Sequence, residues 1–267
     1  MKSFVRHIRH LKPGQILTLG FLAVILTGAL LLMLPVATVE GKSVGFLEAL
    51  FTATSAVCVT GLTVVNTGLV YSLFGQSVIL GLIQIGGLGF MTVAALVFLM
   101  LGKRISLRER VLIQESFNAD SLQGVVRLVK QAVAVTFVVE GIAAIVLSLR
   151  LIPRYGFGRG LFNSVFLAIS AFCNAGFDPF GFDNSITPLV ADPVINIVLM
   201  LLITIGGMGF AVVMDLLRCR RLSKLTLHSR VVLWMTAALF LTGSVGTLLT
   251  EWNNPATLGA LPPTGRA

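Results

Sequence analysis

The sequence predicts an all-α polytopic membrane protein, and three observations lead to this class. Hydrophobic residues make up 56% of the 267 residues, whereas Asp, Glu, Lys and Arg make up only 12%, about half the charged share of a typical soluble domain. Several apolar runs exceed the ~20 residues that a helix needs to cross a bilayer. One short segment also occurs twice, each time after an apolar stretch that is too short to span.

The basic residues are concentrated in three segments between the apolar runs. These segments, 1–14, 102–130 and 218–230, contain 15 of the 20 Lys and Arg residues. Cytoplasmic loops of membrane proteins carry such an excess, so we expect a multi-pass protein of the cell membrane with a cytoplasmic N-terminus. A net charge of +9 would favour nucleic-acid binding in a soluble protein. Here topology explains the charge, and no nucleic-acid partner is expected.

The first apolar unit has two long runs with one short run between them. Runs from about Gln15 to Val39 and from about Ser72 to Leu101 each predict a spanning helix. The run 46–57 is too short to span and predicts a half-helix that enters the membrane and ends in the turn Cys58–Leu62. Non-helical backbone at membrane depth is tolerated only inside protein or beside a water-filled cavity. We therefore expect this turn to line a water-filled cavity.

The same order follows in the second half of the chain. Spanning helices are predicted from about Leu128 to Leu149 and from about Pro193 to Leu217, with a half-helix at 161–172 between them. A fifth spanning helix is predicted from about Val231 to Leu249. Each unit contains two spans, so both units have the same orientation and are related by an axis along the membrane normal. The expected organisation is a cytoplasmic N-terminus (1–14), a first helix, half-helix, helix repeat (15–101), a cytoplasmic amphipathic linker (102–127), a second repeat (128–217), a basic cytoplasmic loop (218–230), and the first helix of an incomplete third repeat with an outer tail (231–267).

Two motifs align the units. Thr54–Leu62 reads TSAVCVTGL and Ile169–Phe177 reads ISAFCNAGF, so that Ser, Ala, Cys and Gly coincide. The second motif is IGG-x-GF, at Ile85–Phe90 and at Ile205–Phe210. Its glycines are interpreted as small residues that pack the second helix closely against the half-helix, with a hinge as the alternative. They are Gly86, Gly87 and Gly89 in the first unit and Gly206, Gly207 and Gly209 in the second.

The orientation of the half-helices favours a cation path at the two turns. Each half-helix enters from outside, so its C-terminal end, with roughly half a negative charge from the helix dipole, points into the membrane. Turns around an axis can present backbone carbonyls that replace a cation's hydration shell, and Gly61 and Gly176 permit the conformations that this requires. Only Glu140 and Asp215 lie within or at the ends of spans, which argues against a carrier built on buried carboxylates. The alternative for both glycines is a helix-breaking turn that only permits close packing.

These turns and IGG-x-GF motifs resemble the Trk/Ktr/HKT superfamily of potassium uptake proteins, most closely the bacterial KtrB/TrkH-type membrane subunits. The resemblance covers nearly the whole chain. It implies M1–P–M2 repeats as in K⁺ channels, four in one chain, enclosing one pore with a filter glycine from each repeat. On this basis Gly61 and Gly176 are filter glycines. The carbonyls that hold K⁺ would come from the residues before them, which are Val57, Cys58, Val59 and Thr60 in the first turn and Phe172, Cys173, Asn174 and Ala175 in the second.

The resemblance also implies a transport role and partners. We expect K⁺ uptake across the cell membrane through a selectivity filter of backbone carbonyls, with Na⁺ dependence as in many members and no cofactor bound by this chain. The implied partners, besides the lipid bilayer, are a second copy in a homodimer and a cytosolic nucleotide-binding regulatory subunit. Because the sequence contains two repeats and the first helix of a third, the alternative is a truncated, non-conducting fragment or an assembly subunit of such a transporter.

The remaining polar residues leave alternatives open. Cys58 and Cys173 could pair, although a small apolar residue packed beside each turn is the preferred interpretation. Asp178 and Asp183 either attract cations at the outer mouth or are solvated loop residues. Glu140 is expected to pair with a polar group between helices. No His, Cys or acidic cluster has catalytic spacing within the spans, so an enzyme is not expected.

Overall fold

The computed structural model describes residues 13–89, 92, 125–181, 185–219, 225–252 and 254, and the regular structure of this part is helical apart from one isolated bridge between Thr38 and Tyr71. The α-helices are α1 (Pro13–Leu32), α2 (Phe46–Val57), α3 (Thr67–Val70), α4 (Leu73–Leu88), α5 (Val125–Tyr155), α6 (Phe157–Phe172), α7 (Pro193–Gly207), α8 (Phe210–Arg218) and α9 (Leu227–Glu251), with 3₁₀ turns at Pro35–Ala37 and Thr187–Leu189.

Helix length and composition agree with a membrane protein. Within the described residues, α5 and α9 are each long and apolar enough to cross a bilayer, and α7 with α8 would make a third span if the bent pair is counted as one. Shorter apolar helices lie at Leu17–Leu32, within α1, and at α2, α4 and α6. Large apolar side chains such as Leu149, Trp234 and Leu249 are more than two-thirds exposed, which suits a surface that faces lipid.

The helices pack in two groups that meet along α4 and α6. In the first group α2 lies between α1 and α4, where fully buried Ala29, Ala49 and Ala53 allow the helices to approach closely. In the second group α6 packs against α5 and α7, around the buried side chains of Leu147 and Leu167. Contact between α4 and α6 joins the groups, so α2 and α6 both lie inside the molecule.

The prediction of one long helix from about Pro193 to Leu217 is wrong. The structure has two helices there, α7 and α8, bent by 100° relative to each other. Gly209 separates them with φ of +83°, and this left-handed conformation cannot continue a right-handed helix. In the first half, α4 ends at Leu88 and is followed by Gly89 at φ +79°. The rest of that predicted span lies outside the described residues except for Thr92.

An ion cluster around the buried carboxylate of Asp192 joins the start of α7 to the end of α5, with the two arginine partners partly exposed. Asp192 caps α7, since its Oδ1 accepts hydrogen bonds from the backbone N–H of Val194 and Ile195 at 3.2 and 3.4 Å. Its Oδ2 lies 3.0 Å from the guanidinium of Arg150 and 2.8 Å from that of Arg154. The predicted amphipathic helix of the linker, Asp183 and the outer tail beyond 254 lie outside the described residues.

Candidate functional site

The two turns that follow α2 and α6 have the same backbone hydrogen bonds. After α2 the N–H of Thr60 donates to the carbonyl of Ser55 at 2.9 Å, and after α6 the N–H of Ala175 donates to Ser170 at 2.7 Å. A second bond joins Val59 to Ala56 and Asn174 to Ala171 in the same way. Both helices therefore end in a Schellman motif, which places one residue in the left-handed region. That residue is Val59 (φ +54°) in the first turn and Asn174 (φ +58°) in the second.

The glycines of the two turns lie against each other. A Cβ atom built on Gly61 would be 2.7 Å from the carbonyl oxygen of Ala175 and 3.2 Å from Cα of Gly176. A Cβ built on Gly176 would be 3.3 Å from Cα of Gly61. Both glycines also have positive φ, +77° and +73°, so a side chain at either position meets both backbone strain and steric overlap. The structure thus brings the two sequence-predicted turns together at one place.

The turn carbonyls are without hydrogen-bond donors in the described part of the chain. No described residue donates to the carbonyl oxygen of Val59 or Thr60, or to that of Cys173 or Ala175. Ala175 itself is fully buried, and its carbonyl oxygen packs against Gly61. The turns also follow the C-terminal ends of α2 and α6, which carry partial negative charge from their helix dipoles. Carbonyl oxygens near such helix ends favour a cation over an anion. Cys58 and Cys173 are both free thiols.

The first glycine of each IGG-x-GF motif packs against the end of the neighbouring short helix. A Cβ on Gly86 would overlap the carbonyl oxygen of Val57, and a Cβ on Gly206 would overlap that of Phe172. A Cβ on Gly87 would collide with Sγ of Cys173. These glycines let the backbones of α4 and α7 touch the residues from which the turns begin.

The third glycine of each motif lies in a different environment. Among the described residues, none has a heavy atom within 4 Å of a Cβ built on Gly209, and Oγ1 of Thr92, at 4.0 Å, is the one such atom near Gly89. Both have positive φ and lie immediately after a helix end or break. Gly89 therefore ends a helix and Gly209 lies at the break before α8, whereas Gly207 has ordinary space, with the end of the Asn174 side chain at 3.8 Å.

A buried carboxylate connects the two helix groups beside the second turn. Glu140, on α5, is 4% exposed, and both of its oxygens accept from Nε2 of Gln84 on α4, at 3.2 and 3.3 Å. The thiol of Cys173 lies 3.9 Å from Oε1 of the same carboxylate. The polar partner expected for Glu140 is thus Gln84, with Cys173 beside it. Among the described residues, no group of three or more His, Cys, Asp or Glu side chains could hold a metal ion.

Sequence reasoning assigns Asn174 only a backbone carbonyl, yet its side chain also reaches α7. With the amide oriented to match its neighbours, Nδ2 lies 3.3 Å from the carbonyl oxygen of Ile203 and Oδ1 lies 3.2 Å from the backbone nitrogen of Gly207. The sequence offers one indication of this role, because the aligned position of the first turn is Val59, which has no side-chain amide. Asp178, after the second turn, bonds the backbone N–H of Phe180 and the hydroxyl of Ser185.

The sequence comparison decides the family. A family model described as TrkH, cation transport protein, matches residues 7–251. The chain belongs to the TrkH cation transport family. Membership of the TrkH family confirms the resemblance stated from the motifs, and it confirms that the protein is a transporter-family membrane protein and not an enzyme.

Curated TrkH-family relatives match nearly all of the chain. It is 47% identical over 249 residues to the Ktr system potassium uptake protein B of Bacillus subtilis, covering 93% of this chain and 55% of the relative. It is 42% identical over 253 residues to the potassium/sodium uptake protein NtpJ of Enterococcus hirae, covering 95% and 55%. The Ktr system potassium uptake protein B of Vibrio alginolyticus is 42% identical over 254 residues, covering 94% and 55%. The chain therefore spans about half the length of these relatives.

Proposed function

We propose that this chain contributes to potassium uptake across the cell membrane, through a selectivity filter of backbone carbonyls from residues 57–61 and 172–176. The observation that carries the proposal is the meeting of two turns with the same backbone at Gly61 and Gly176. A dehydrated K⁺ needs several oxygen ligands at once, and the carbonyls of two adjacent turns would supply them without an ionised side chain.

The family and its relatives support the choice of ion. Two of the three relatives described above are named potassium uptake proteins, and NtpJ is named a potassium/sodium uptake protein. We propose K⁺ as the transported ion, with Na⁺ as a second ion that either accompanies it or is required for its uptake. No cofactor of this chain enters the proposal.

The proposed architecture is a parallel arrangement of M1–P–M2 repeats. In the first repeat (15–101) α1 and α4 flank α2, and in the second (128–217) α5 and the bent pair α7–α8 flank α6. Helix α9 would be the first helix of a third repeat. With the N-terminus in the cytoplasm, the Asp192 cluster lies on the outer side and the C-terminal ends of α2 and α6 point inward from it.

The proposed partners follow from the family resemblance. We propose a homodimer and a cytosolic nucleotide-binding regulatory subunit, which would contact the basic segments on the cytoplasmic side. Size measurement of the purified protein in detergent, with and without the candidate soluble subunit, tests both. A monomer that binds no such subunit contradicts the proposed partners but leaves the proposed selectivity filter unaffected.

Growth of a K⁺-uptake-deficient bacterium at low K⁺ tests the transport proposal. The chain is expressed as printed and also joined to any in-frame sequence that follows it in the genome. We expect uptake in at least one form, and loss of uptake in Gly61→Ala, because the new Cβ overlaps the Ala175 carbonyl oxygen and strains the backbone. The matched control is Gly81→Ala on α4, where a Cβ meets no atom of the described residues within 4 Å. Equal membrane levels are checked by immunoblot, and full uptake by Gly61→Ala contradicts the proposed filter.

A further inference from the structure

The side-chain amide of Asn174 lies between two groups of α7 that match its donor and acceptor ends. In the orientation that satisfies both ends, Nδ2 donates to the carbonyl oxygen of Ile203 at 3.3 Å and Oδ1 accepts from the N–H of Gly207 at 3.2 Å. The opposite orientation sets acceptor against acceptor and donor against donor, and its remaining contact is 3.5 Å, from Nδ2 to the Phe172 carbonyl oxygen. Amide orientation is assigned from such networks, and this network selects the first.

The two groups that Asn174 contacts are partners in a regular α-helix. The N–H of residue 207 and the carbonyl of residue 203 are four residues apart, the spacing of the α-helical ladder. A side chain that enters the ladder is one of the few recognised causes of a sharp bend. Here α7 ends at Gly207, and α8 leaves at 100° after Gly209. The amide is therefore bonded to the last turn before the break.

The adjacent glycines provide the space for this contact. A Cβ built on Gly206 would overlap the Phe172 carbonyl oxygen and lie 3.3 Å from the end of the Asn174 side chain. One built on Gly207 would lie 3.8 Å from the same side-chain atom. The end of α7 thus contacts the second turn twice, through backbone packing at Phe172 and through hydrogen bonds at Asn174.

The first turn shows that the backbone alone does not require Asn. Val59 holds the same left-handed position, at φ +54° compared with +58°, and a valine side chain can form no hydrogen bond. Asn is well suited to the left-handed region, but that explains only its backbone. The amide contacts with α7 are an additional property of the second turn.

We propose that Asn174 is a positioning residue whose amide couples the second turn to the break between α7 and α8, so that the turn carbonyls and the end of α7 move together. If the turn carbonyls select K⁺ over Na⁺, as the function proposed above requires, this coupling also affects ion selection, and that part of the inference rests on the proposed function. The coupling itself is a property of the structure and can be measured without transport.

Asn174→Gly is the decisive variant, because glycine keeps the left-handed backbone and removes only the amide. Hydrogen exchange of the full chain in detergent, resolved at residues 203–209, is the first measurement. We expect exchange at Gly207 to rise by about fivefold, the change expected for loss of one hydrogen bond. The N–H of Met208, bonded to the Thr204 carbonyl at 3.1 Å, serves as an internal reference. The matched variant Val59→Gly, in the turn that lacks the amide, is expected to leave Gly207 exchange unchanged.

The second measurement is the ratio of K⁺ to Na⁺ uptake in cells, which a purely structural loss of protein would not alter. We expect the ratio to fall at least threefold in Asn174→Gly at equal membrane level. Unchanged exchange at Gly207 overturns the coupling, and raised exchange with an unchanged uptake ratio overturns the positioning role. If neither the printed chain nor its in-frame extension transports either ion, the proposed function fails, and the exchange measurement still supports or overturns the coupling by itself.

Discussion

Replacing adjacent glycines at the end of α7 tests how closely this helix approaches the second turn. In Gly206→Ala the new methyl group overlaps the carbonyl oxygen of Phe172, whereas in Gly207→Ala it has an ordinary contact with Asn174. The overlap is with backbone, so relief requires α7 or the turn to shift. Overpacking of this kind costs about 3 kcal/mol at the upper end of its usual range. Better helix propensity offsets about 1 kcal/mol of this cost.

The two variants should therefore differ in sign. We expect Gly206→Ala to lower the free energy of unfolding by about 2 kcal/mol, and Gly207→Ala to raise it by up to about 1 kcal/mol. For a chain of this size 1 kcal/mol shifts Tm by about 2 °C or somewhat more. The variants should differ in Tm by at least about 4 °C, measured by thermal unfolding of the purified protein in one detergent.

A matched pair in the first half controls for the helix-propensity estimate. The methyl group of Gly86→Ala overlaps the Val57 carbonyl oxygen, whereas that of Gly81→Ala, on the same helix, contacts no described residue. If Gly206→Ala and Gly207→Ala unfold at the same temperature while the pair on α4 behaves as expected, the close approach of α7 to Phe172 is refuted. If neither pair shows a difference, the packing argument for both motifs is wrong.

Three further predictions concern buried polar groups and the first turn. Burial raises the pKa of Asp192, but hydrogen bonds from Arg150 and Ile195 and the charges of Arg150 and Arg154 outweigh it and hold the pKa below its usual 3.8. The ionised Asp192 carboxylate therefore stabilises the fold fully above pH 3.8, and this contribution is lost as the pH falls through the lower pKa of the folded state. Below pH 4 the Tm of the unmodified chain should fall more steeply with pH than the Tm of Asp192→Asn. Parallel curves of Tm against pH for the two proteins would contradict this prediction. Glu140→Ala leaves Nε2 of Gln84 without its acceptor and should lower the free energy of unfolding by about 1–3 kcal/mol. Glu140→Gln keeps an acceptor and should lower this free energy less. Equal Tm values for the two variants would exclude the bond between Gln84 and Glu140 as a stabilising contact. Val59→Asn should keep the first turn folded in spite of the lost apolar side chain, because Asn174 shows that Asn fits this conformation. If the Tm of this variant is more than about 4 °C below that of the unmodified chain, at about 2 °C per kcal/mol, packing of the valine side chain outweighs its backbone strain.

Local sequence patterns identify the helices and the turns but not the contacts between them. The run 46–57 predicts the helix that the structure has as Phe46–Val57, because an apolar run bounded by Gly45 and a Gly-containing turn determines both ends locally. The two turns align because Ser, Ala, Cys and Gly recur at equal spacing. These features depend on residues that are close in the sequence, so they can be predicted from the sequence alone.

The bend of α7 and the partners of Asn174 and Glu140 depend on residues far along the chain. Gly209 looks like Gly206 in sequence, yet one lies at the break before α8 and the other packs against a carbonyl. Which role a glycine has is decided by the element placed beside it. Gln84 and Glu140 are 56 residues apart, and no local pattern predicts which side chain between helices will face a buried carboxylate.

The first turn stores conformational energy that the second does not. A β-branched residue in the left-handed region is a genuine outlier, and conformations of this kind cost on the order of 1–3 kcal/mol, sustained only by the surrounding structure. Val59 packs against the core around Ala53 and Ile83, which keeps it at φ +54°. Anything that loosens this core therefore lets the first turn relax, whereas Asn174 in the second turn tolerates the left-handed conformation more easily. The two halves of one site thus differ in resilience, and the first turn is the one that responds to changes in the packing around it.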